Sequence, residues 1–315
     1  MELQHIADNV YYLASVINIG VIRGDNDQVV LIDSGIGDRS ARHILHALQA
    51  EGLRPVAVFN THGHGDHVGG NAYLVEQAGV RVYAPLYDSI VIRQPIWGML
   101  FMFAGGEPIR ELAVPRFSPR PSPVDEIVTE GELSIAGTTI EAIPMAGHTG
   151  THTCYRAGRI LFLGDLLSSE VELEHAKISY AYSVTMRLES LARLRTIEAD
   201  YYLLAHGDLR QDISPLLELN LARVRETLDF IKQYLARGRA EAADVVAAVA
   251  DHFGLSLDRV RDYFMLQPTI YSHLSYLHDR GEIDFELEGN RLWWGVGARH
   301  SAALHQLDST LKCKR

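Results

Sequence analysis

Residues 61–70 read Thr-His-Gly-His-Gly-Asp-His-Val-Gly-Gly, and no other stretch constrains the fold so tightly. His62, His64, Asp66 and His67 place three imidazoles and a carboxylate within six consecutive positions. Neutral imidazole together with carboxylate is a donor set for first-row divalent ions. Gly63 and Gly65 keep side chains out of the way, so backbone and ion can approach closely. A merely His-rich polar loop would stand alone, whereas a two-metal site needs about seven protein donors and must draw the rest from elsewhere in the chain.

Three further segments offer them. His148 lies in Pro144-Met145-Ala146-Gly147-His148-Thr149-Gly150, Asp165 closes Ile160-Leu161-Phe162-Leu163-Gly164-Asp165, and His206 closes Tyr201-Tyr202-Leu203-Leu204-Ala205-His206. Each sits beside glycine at the end of a short apolar or aromatic run, the pattern of a buried strand delivering a side chain to its edge. Asp33 repeats it after Val29-Val30-Leu31-Ile32. Singly, such residues read as turns or caps; beside the dense run, they read as ligands and their supports.

With these residues in order, the first two thirds of the chain resembles the metallo-β-lactamase superfamily. Asp33, the His62-x-His64-x-Asp66-His67 run, His148, Asp165 and His206 correspond to its five recurring motifs. The resemblance implies an α+β fold, a four-layer αββα sandwich with the site at one loop edge. It further implies that His62, His64 and His148 hold one metal, that Asp66, His67 and His206 hold the other, and that Asp165 bridges them. True β-lactamases lack an aspartate at the place of Asp165 and are exported, and the flavodiiron branch carries glutamate where His64 stands. The chain therefore looks closer to the glyoxalase II-like thioester hydrolases. It departs from many relatives at His152, where no ligand role is assigned; nor is one assigned to His175.

Composition suits a cytoplasmic enzyme. The 315 residues are 47% hydrophobic, enough for one large domain and a small one. The start Met1-Glu2-Leu3-Gln4-His5 has no basic, apolar leader, and no span for a membrane is expected. Cys154 and Cys313 do not form a disulfide framework. With 29 basic and 40 acidic residues, the net charge of -11 disfavours broad contact with nucleic acid or anionic lipid.

Periodicity predicts strands at 10–13, 17–22, 29–32, 56–60, 126–128, 139–143, 153–155, 160–163 and 201–204, with helices at 42–50, 71–77 and 188–197. Between 89 and 123 the patterns fade around the apolar run Ile96 to Gly106. That run reads first as a buried helix or a homodimer contact, and second as a lid or wall in which Trp97, Phe101 and Phe103 meet substrate. Tyr180 and Tyr182 read as loop tyrosines packed on the core, with a pocket-facing role as the alternative.

Residues 1–211 form the expected catalytic domain and 212–239 a linking helix. Residues 240–300 form a small, mainly helical module, and 301–315 a tail. Helices at 242–253, 256–264 and 268–278 and a hairpin turning at Gly289-Asn290 resemble a winged helix. Four basic against ten acidic residues between 240 and 296 favour a structural or dimerising cap over a DNA reader.

The chemistry follows from two divalent ions, zinc first, with iron and manganese accepted by the same donors. Such ions bring the pKa of a bridging water to about 7, so the expected reaction is hydrolysis of an ester, thioester or lactone of a small molecule. Asp165 bridges and Asp66 accepts a proton; Asp33 is expected behind the ligands, fixing a histidine ring or the loop. Thr61 and Thr149 are further supports. An RNA phosphodiester hydrolase, a mononuclear-iron persulfide dioxygenase held by His62, His148 and Asp165, and a non-enzymatic DNA-binding ligand sensor are the alternatives.

Overall fold

The computed structural model describes residues 2–297. The end of the expected 240–300 module, the 301–315 tail and Cys313 lie outside the described residues.

The first half runs β1 (Leu3–Ala7), β2 (Val10–Leu13), β3 (Ile19–Arg23), β4 (Gln28–Ile32), α1 (Asp38–Ala50), β5 (Arg54–Phe59), α2 (Gly65–Val68), α3 (Asn71–Ala78), β6 (Arg81–Pro85), α4 (Leu86–Arg93), α5 (Ile96–Met102) and β7 (Glu126–Val128). Its seven strands lie side by side in chain order, antiparallel through β4 and parallel from β4 to β7. The second half adds β8 (Gly131–Ile135), β9 (Thr138–Pro144), β10 (Thr153–Ala157), β11 (Ile160–Phe162), α6 (Glu170–Ala176), α7 (Val184–Leu194), β12 (Tyr201–Leu203) and β13 (Leu209–Arg210). These strands make a sheet in the order β13-β12-β11-β10-β9-β8, with β11 and β12 parallel.

Strand alternation builds the layers. In β4, Val29 and Leu31 face α1 and α3, packing with Ile44, Leu48 and Leu74. Val30 and Ile32 turn the other way and meet Ala142, Tyr155 and Phe162 of the second sheet. Both faces of the strand are buried, so it reads as an unbroken apolar run. The second sheet's outer face carries Leu161 and Leu163 against Leu191, Leu194 and Leu217. The result is helix, sheet, sheet, helix.

α8 (Ser214–Leu235) joins this sandwich to the remainder: Leu216, Leu217 and Leu221 pack in the sandwich, while Val224, Leu228, Ile231 and Leu235 pack with α9 (Ala242–Phe253) and α10 (Val260–Asp279). β14 (Asp284–Glu288) and β15 (Arg291–Gly295) form the hairpin.

Several expectations need correction. The separate helices at 256–264 and 268–278 are one helix, α10, with Pro268 inside it. Proline removes one backbone donor and disfavours a helix interior. Here Leu266, Ile270, Leu274 and Leu277 form a buried stripe across it, and that burial outweighs the lost bond. The run at 96–106 is not a buried helix: α5 buries Met99 but exposes Ile96, Trp97 and Phe101. Strands β1, β6, β8 and β13 are not among those expected, although β8 carries the alternation Glu132-Leu133-Ser134-Ile135. β13 is two residues long, and β6 ends at Pro85, which lowers a run's strand character. Among the described residues no helix is long and apolar enough to cross a membrane.

Candidate metal centre

The donors sit just beyond strand ends. Asp33 follows β4, His62 follows β5, His148 follows β9, Asp165 follows β11 and His206 follows β12, while α2 carries Asp66 and His67. Parallel pairing of β4 with β5 and of β11 with β12 brings these ends to one edge of the sandwich. At the start of α2 the Gly65 N–H donates to the Arg116 carbonyl at 3.0 Å. A Cβ at residue 65 would collide with the carbonyls of Pro115 and Arg116, so only glycine admits that segment.

All seven residues proposed as ligands come together, in two groups. The donor atoms of His62, His64, His148 and Asp165 lie within 4.8 Å of one another, as do those of Asp66, His67 and His206. His62 Nε2 is 3.0 Å from His64 Nδ1, which is 2.9 Å from His148 Nε2. Asp165 spans the groups. Its Oδ1 is 3.1 Å from His67 Nε2 and 3.7 Å from His206 Nε2, and its Oδ2 is 3.4 Å from His148 Nε2 and 3.8 Å from His62 Nε2.

Electrostatics separates the groups. Burial, reinforced by His67 and His64, holds His62 well below the usual imidazole range. Burial also takes His64 down to about 4 and His148 well below its ordinary value. Neutral imidazoles are the form that binds a metal. In the second group burial would lower His67, but Asp165 and Asp33 outweigh it and raise it. Asp165 itself is buried, which would raise it, yet His67, His206 and His148 hold it low. Asp66 Oδ1, His67 Nε2, Asp165 Oδ1 and His206 Nε2 are buried without hydrogen-bond partners. Buried polar atoms rarely remain so, and a cation between them satisfies all four, so these residues fit a metal.

A scaffold behind the donors fixes their rings. Asp33 accepts from Thr61 N and Thr61 Oγ1, each at 2.8 Å, and pairs with His67 Nδ1 at 2.8 Å. That leaves His67 Nε2 turned to Asp165. Asp33 does this at φ 63°, a backbone region that aspartate tolerates better than most residues. Thr61 Oγ1 also lies 3.1 Å from His62 Nδ1. Thr149 instead donates to Asp88, at 3.1 Å.

Three contributors carry no role in the sequence reading, and for a fourth, Tyr180, the alternative pocket-facing role is the one the structure supports. His152 is fully buried and its Nε2 accepts the Asp165 N–H at 3.1 Å, so it steadies the bridging residue without joining the donors. Asp88 Oδ1 accepts from Gly63 N at 2.8 Å. Arg116 Nη2 stands 3.1 Å from Asp66 Oδ2. The Tyr180 ring lies 5.4 Å from that of His64, so this tyrosine faces the site. His152 had a signal in the density of histidines around it; Asp88 and Arg116 had none, since each lies in a segment without a motif. Arg116 also shows that part of 89–123 walls the site.

α10 supports the opposite wall. Thr269 Oγ1 accepts from Ala181 N at 3.2 Å and Ser272 Oγ from Val184 N at 2.8 Å. Between them Tyr182 N donates to the His148 carbonyl and Ser183 N to the Gly147 carbonyl, both at 3.2 Å. Ser272→Ala strands a buried N–H, and a loss of about 1–2 kcal/mol is expected by urea unfolding, while Ser272→Thr keeps the acceptor. Equal midpoints for Ala and Ser would remove this support.

Residues 13–206 match the metallo-β-lactamase superfamily. Among solved structures the chain is similar to a beta-lactamase domain protein from Burkholderia ambifaria, with a TM-score of 0.72, 20% identity and coverage of 93% of both chains. It is also similar to a metallo-beta-lactamase family protein from Thermus thermophilus, with a TM-score of 0.70, 21% identity and coverage of 90% of this chain and 98% of that one. In sequence it is 25% identical over 283 residues to an atrochrysone carboxyl ACP thioesterase of Passalora fulva, covering 86% of this chain and 74% of that protein. It is 33% identical over 135 residues to a hydroxyacylglutathione hydrolase from a Synechococcus species, covering 40% of this chain and 42% of that protein. Because the superfamily match extends over the same strands whose ends carry the donors, the chain belongs to the metallo-β-lactamase superfamily and is an enzyme of its metallo-hydrolase class.

Proposed function

We propose that the enzyme hydrolyses the thioester bond of a small-molecule acyl substrate at a pair of divalent metal ions. The observation that carries the two-ion reading is the division of Asp165, one oxygen toward His67 and His206 and the other toward His148 and His62. His62, His64 and His148 would hold one ion, Asp66, His67 and His206 the second, with Asp165 shared. Zinc is the first expectation, and iron or manganese suits the same donors. Bound there, such ions supply Lewis acidity and acidify a water toward neutral pH.

The chain's own groups do the rest. Asp66, whose Oδ2 is turned to Arg116 and His206, would take the water's proton. Asp33 and Thr61 hold the ring nitrogens of His67 and His62 that face away from Asp165. Tyr180 shields His64 and His148 on one flank. The choice of thioester rests on the similar proteins: one is named an ACP thioesterase and another a hydroxyacylglutathione hydrolase, and both names denote cleavage of an acyl–sulfur bond.

The test is release of free thiol by the purified, metal-loaded enzyme from acyl-glutathione, acyl-coenzyme A and acyl-N-acetylcysteamine, with oxygen esters and lactones alongside. Turnover no greater than that of a His62→Ala, Asp66→Ala double variant rejects the reading. Stripping and restoring metal gives a second measurement. At a hundredfold excess over Kd, restored metal is expected to stabilise the fold by about 2.7 kcal/mol per site, read as a rise in Tm. An unchanged Tm denies a metal site.

A further inference from the structure

The side chains that border the donor cluster are of two different chemistries. Beside His64 and His148 stand tyrosines. The Tyr180 ring is 5.4 Å from His64 and 5.5 Å from His148. Tyr87 and Tyr182, 58% and 56% exposed, flank Gly150, where a Cβ would lie 3.1 Å from one ring and 3.5 Å from the other. Both are anchored by backbone: Tyr87 N donates to Thr151 Oγ1 at 3.1 Å, and Tyr182 N donates to the His148 carbonyl. These rings are held in place while their faces stay open to solvent.

Beside Asp66 and His206 stands one cation. Among the described residues Arg116 is the only Lys or Arg within 4.0 Å of a donor carboxylate, and its side chain is 47% exposed. The other guanidinium of this region, Arg187, is buried behind the His148 loop and turned to Asn220. The Arg116 side chain is not buried with Asp66, and its planar guanidinium has five donors, more than the contact with Asp66 uses, in a chain of net charge -11. Such a chain repels anions at large, so a carboxylate lying away from the metal ions needs a side-chain cation to be held.

We propose that this mouth is a polarised acyl site. It takes a thioester whose flat, apolar part lies on Tyr87, Tyr180 and Tyr182 and whose carboxylate is recognised by Arg116, an arrangement suited to a paired Arg–carboxylate hydrogen bond. The proposal rests on the thioester reading above and names its substrate class.

The probes are the benzoyl and 3-carboxybenzoyl thioesters of N-acetylcysteamine, with the acetyl thioester as a small reference. The wild-type enzyme is expected to prefer the carboxylate-bearing probe by about tenfold in kcat/KM, mainly through KM. Arg116→Met brings the ratio near one and Arg116→Lys restores part of it. A wild-type ratio near one, or an equal loss on both probes in Arg116→Met, overturns the role of Arg116. Replacing the exposed pair, Tyr87→Ala with Tyr182→Ala, is expected to reduce the benzoyl-over-acetyl preference about tenfold; an unchanged preference overturns the aromatic half. If no thioester is turned over, the thioester reading alone fails. Calorimetry with the corresponding unreactive amides then decides the recognition, the same tenfold ratio in Kd supporting it and equal affinities overturning it.

Discussion

Asp165→Ala is expected to lower hydrolysis by about a thousandfold, which is about 4 kcal/mol of transition-state stabilisation, and to leave the protein unable to retain its full metal complement. The reason is geometric. Asp165 alone offers an oxygen to each donor group, so on the two-ion proposal its loss would remove a ligand and one negative charge from both at once. The remaining cluster is rich in histidine, and His62 and His148 are held neutral by burial, so little negative charge remains near them to offset two divalent ions. Asp165→Asn keeps one oxygen acceptor without the charge and should fall between wild type and alanine in metal content. Metal analysis by mass spectrometry alongside steady-state kinetics checks both. Full metal content with a wild-type rate would remove Asp165 from the site.

Asp33→Ala is expected to cost stability more than any other single change behind the donors. It strands Thr61 N–H, the Thr61 hydroxyl and His67 Nδ1, all buried, at about 1–3 kcal/mol each. It also places alanine at φ 63°, where a Cβ costs about 1 kcal/mol. Against a total stability of about 5–15 kcal/mol, the metal-free variant should lose about 10 °C or more in Tm. Asp33→Asn tolerates the backbone angle and keeps one acceptor, so it should lose less. Thermal unfolding of the metal-free proteins isolates this effect from ligand binding. An alanine variant melting within about a degree of wild type would mean that Asp33 does not hold the loop.

Much of the site was legible because its donors announce themselves locally. His62, His64, Asp66 and His67 share one short run, and His148, Asp165, His206 and Asp33 each close an apolar stretch beside glycine or a turn. Strand termini carry both signals, the apolar period and its interruption. The contributors without such a signal act from other contexts. Asp88 sits in a helix and reads as a surface acid until Gly63, Thr149 and Thr151 are seen to hydrogen-bond to it. Arg116 lies in an irregular stretch and reaches Asp66 from fifty residues away along the chain.

The C-terminal elements illustrate a second limit. Proline at 268 signals a break by local rules, yet α10 continues through it because Leu266, Ile270, Leu274 and Leu277 bury a stripe that only the packed core rewards. Burial of this kind is long-range and cannot be weighed from neighbouring residues. The same holds for Thr269 and Ser272, unremarkable helix residues whose hydroxyls accept hydrogen bonds from the segment behind His148.

By itself the sequence determined the candidate donors, the superfamily resemblance and most strands of the sandwich, because each is written in local residue type and period. The resemblance already implied a bridging Asp165 and an Asp33 behind the ligands; only the tertiary structure decided which oxygen of Asp165 turns to which group, that Asp33 grips His67 in particular, and that Arg116 stands beside Asp66 and Tyr180 beside His64. Those relations are distances between side chains remote in sequence, set by how two sheets and their helices pack, and no local pattern encodes them.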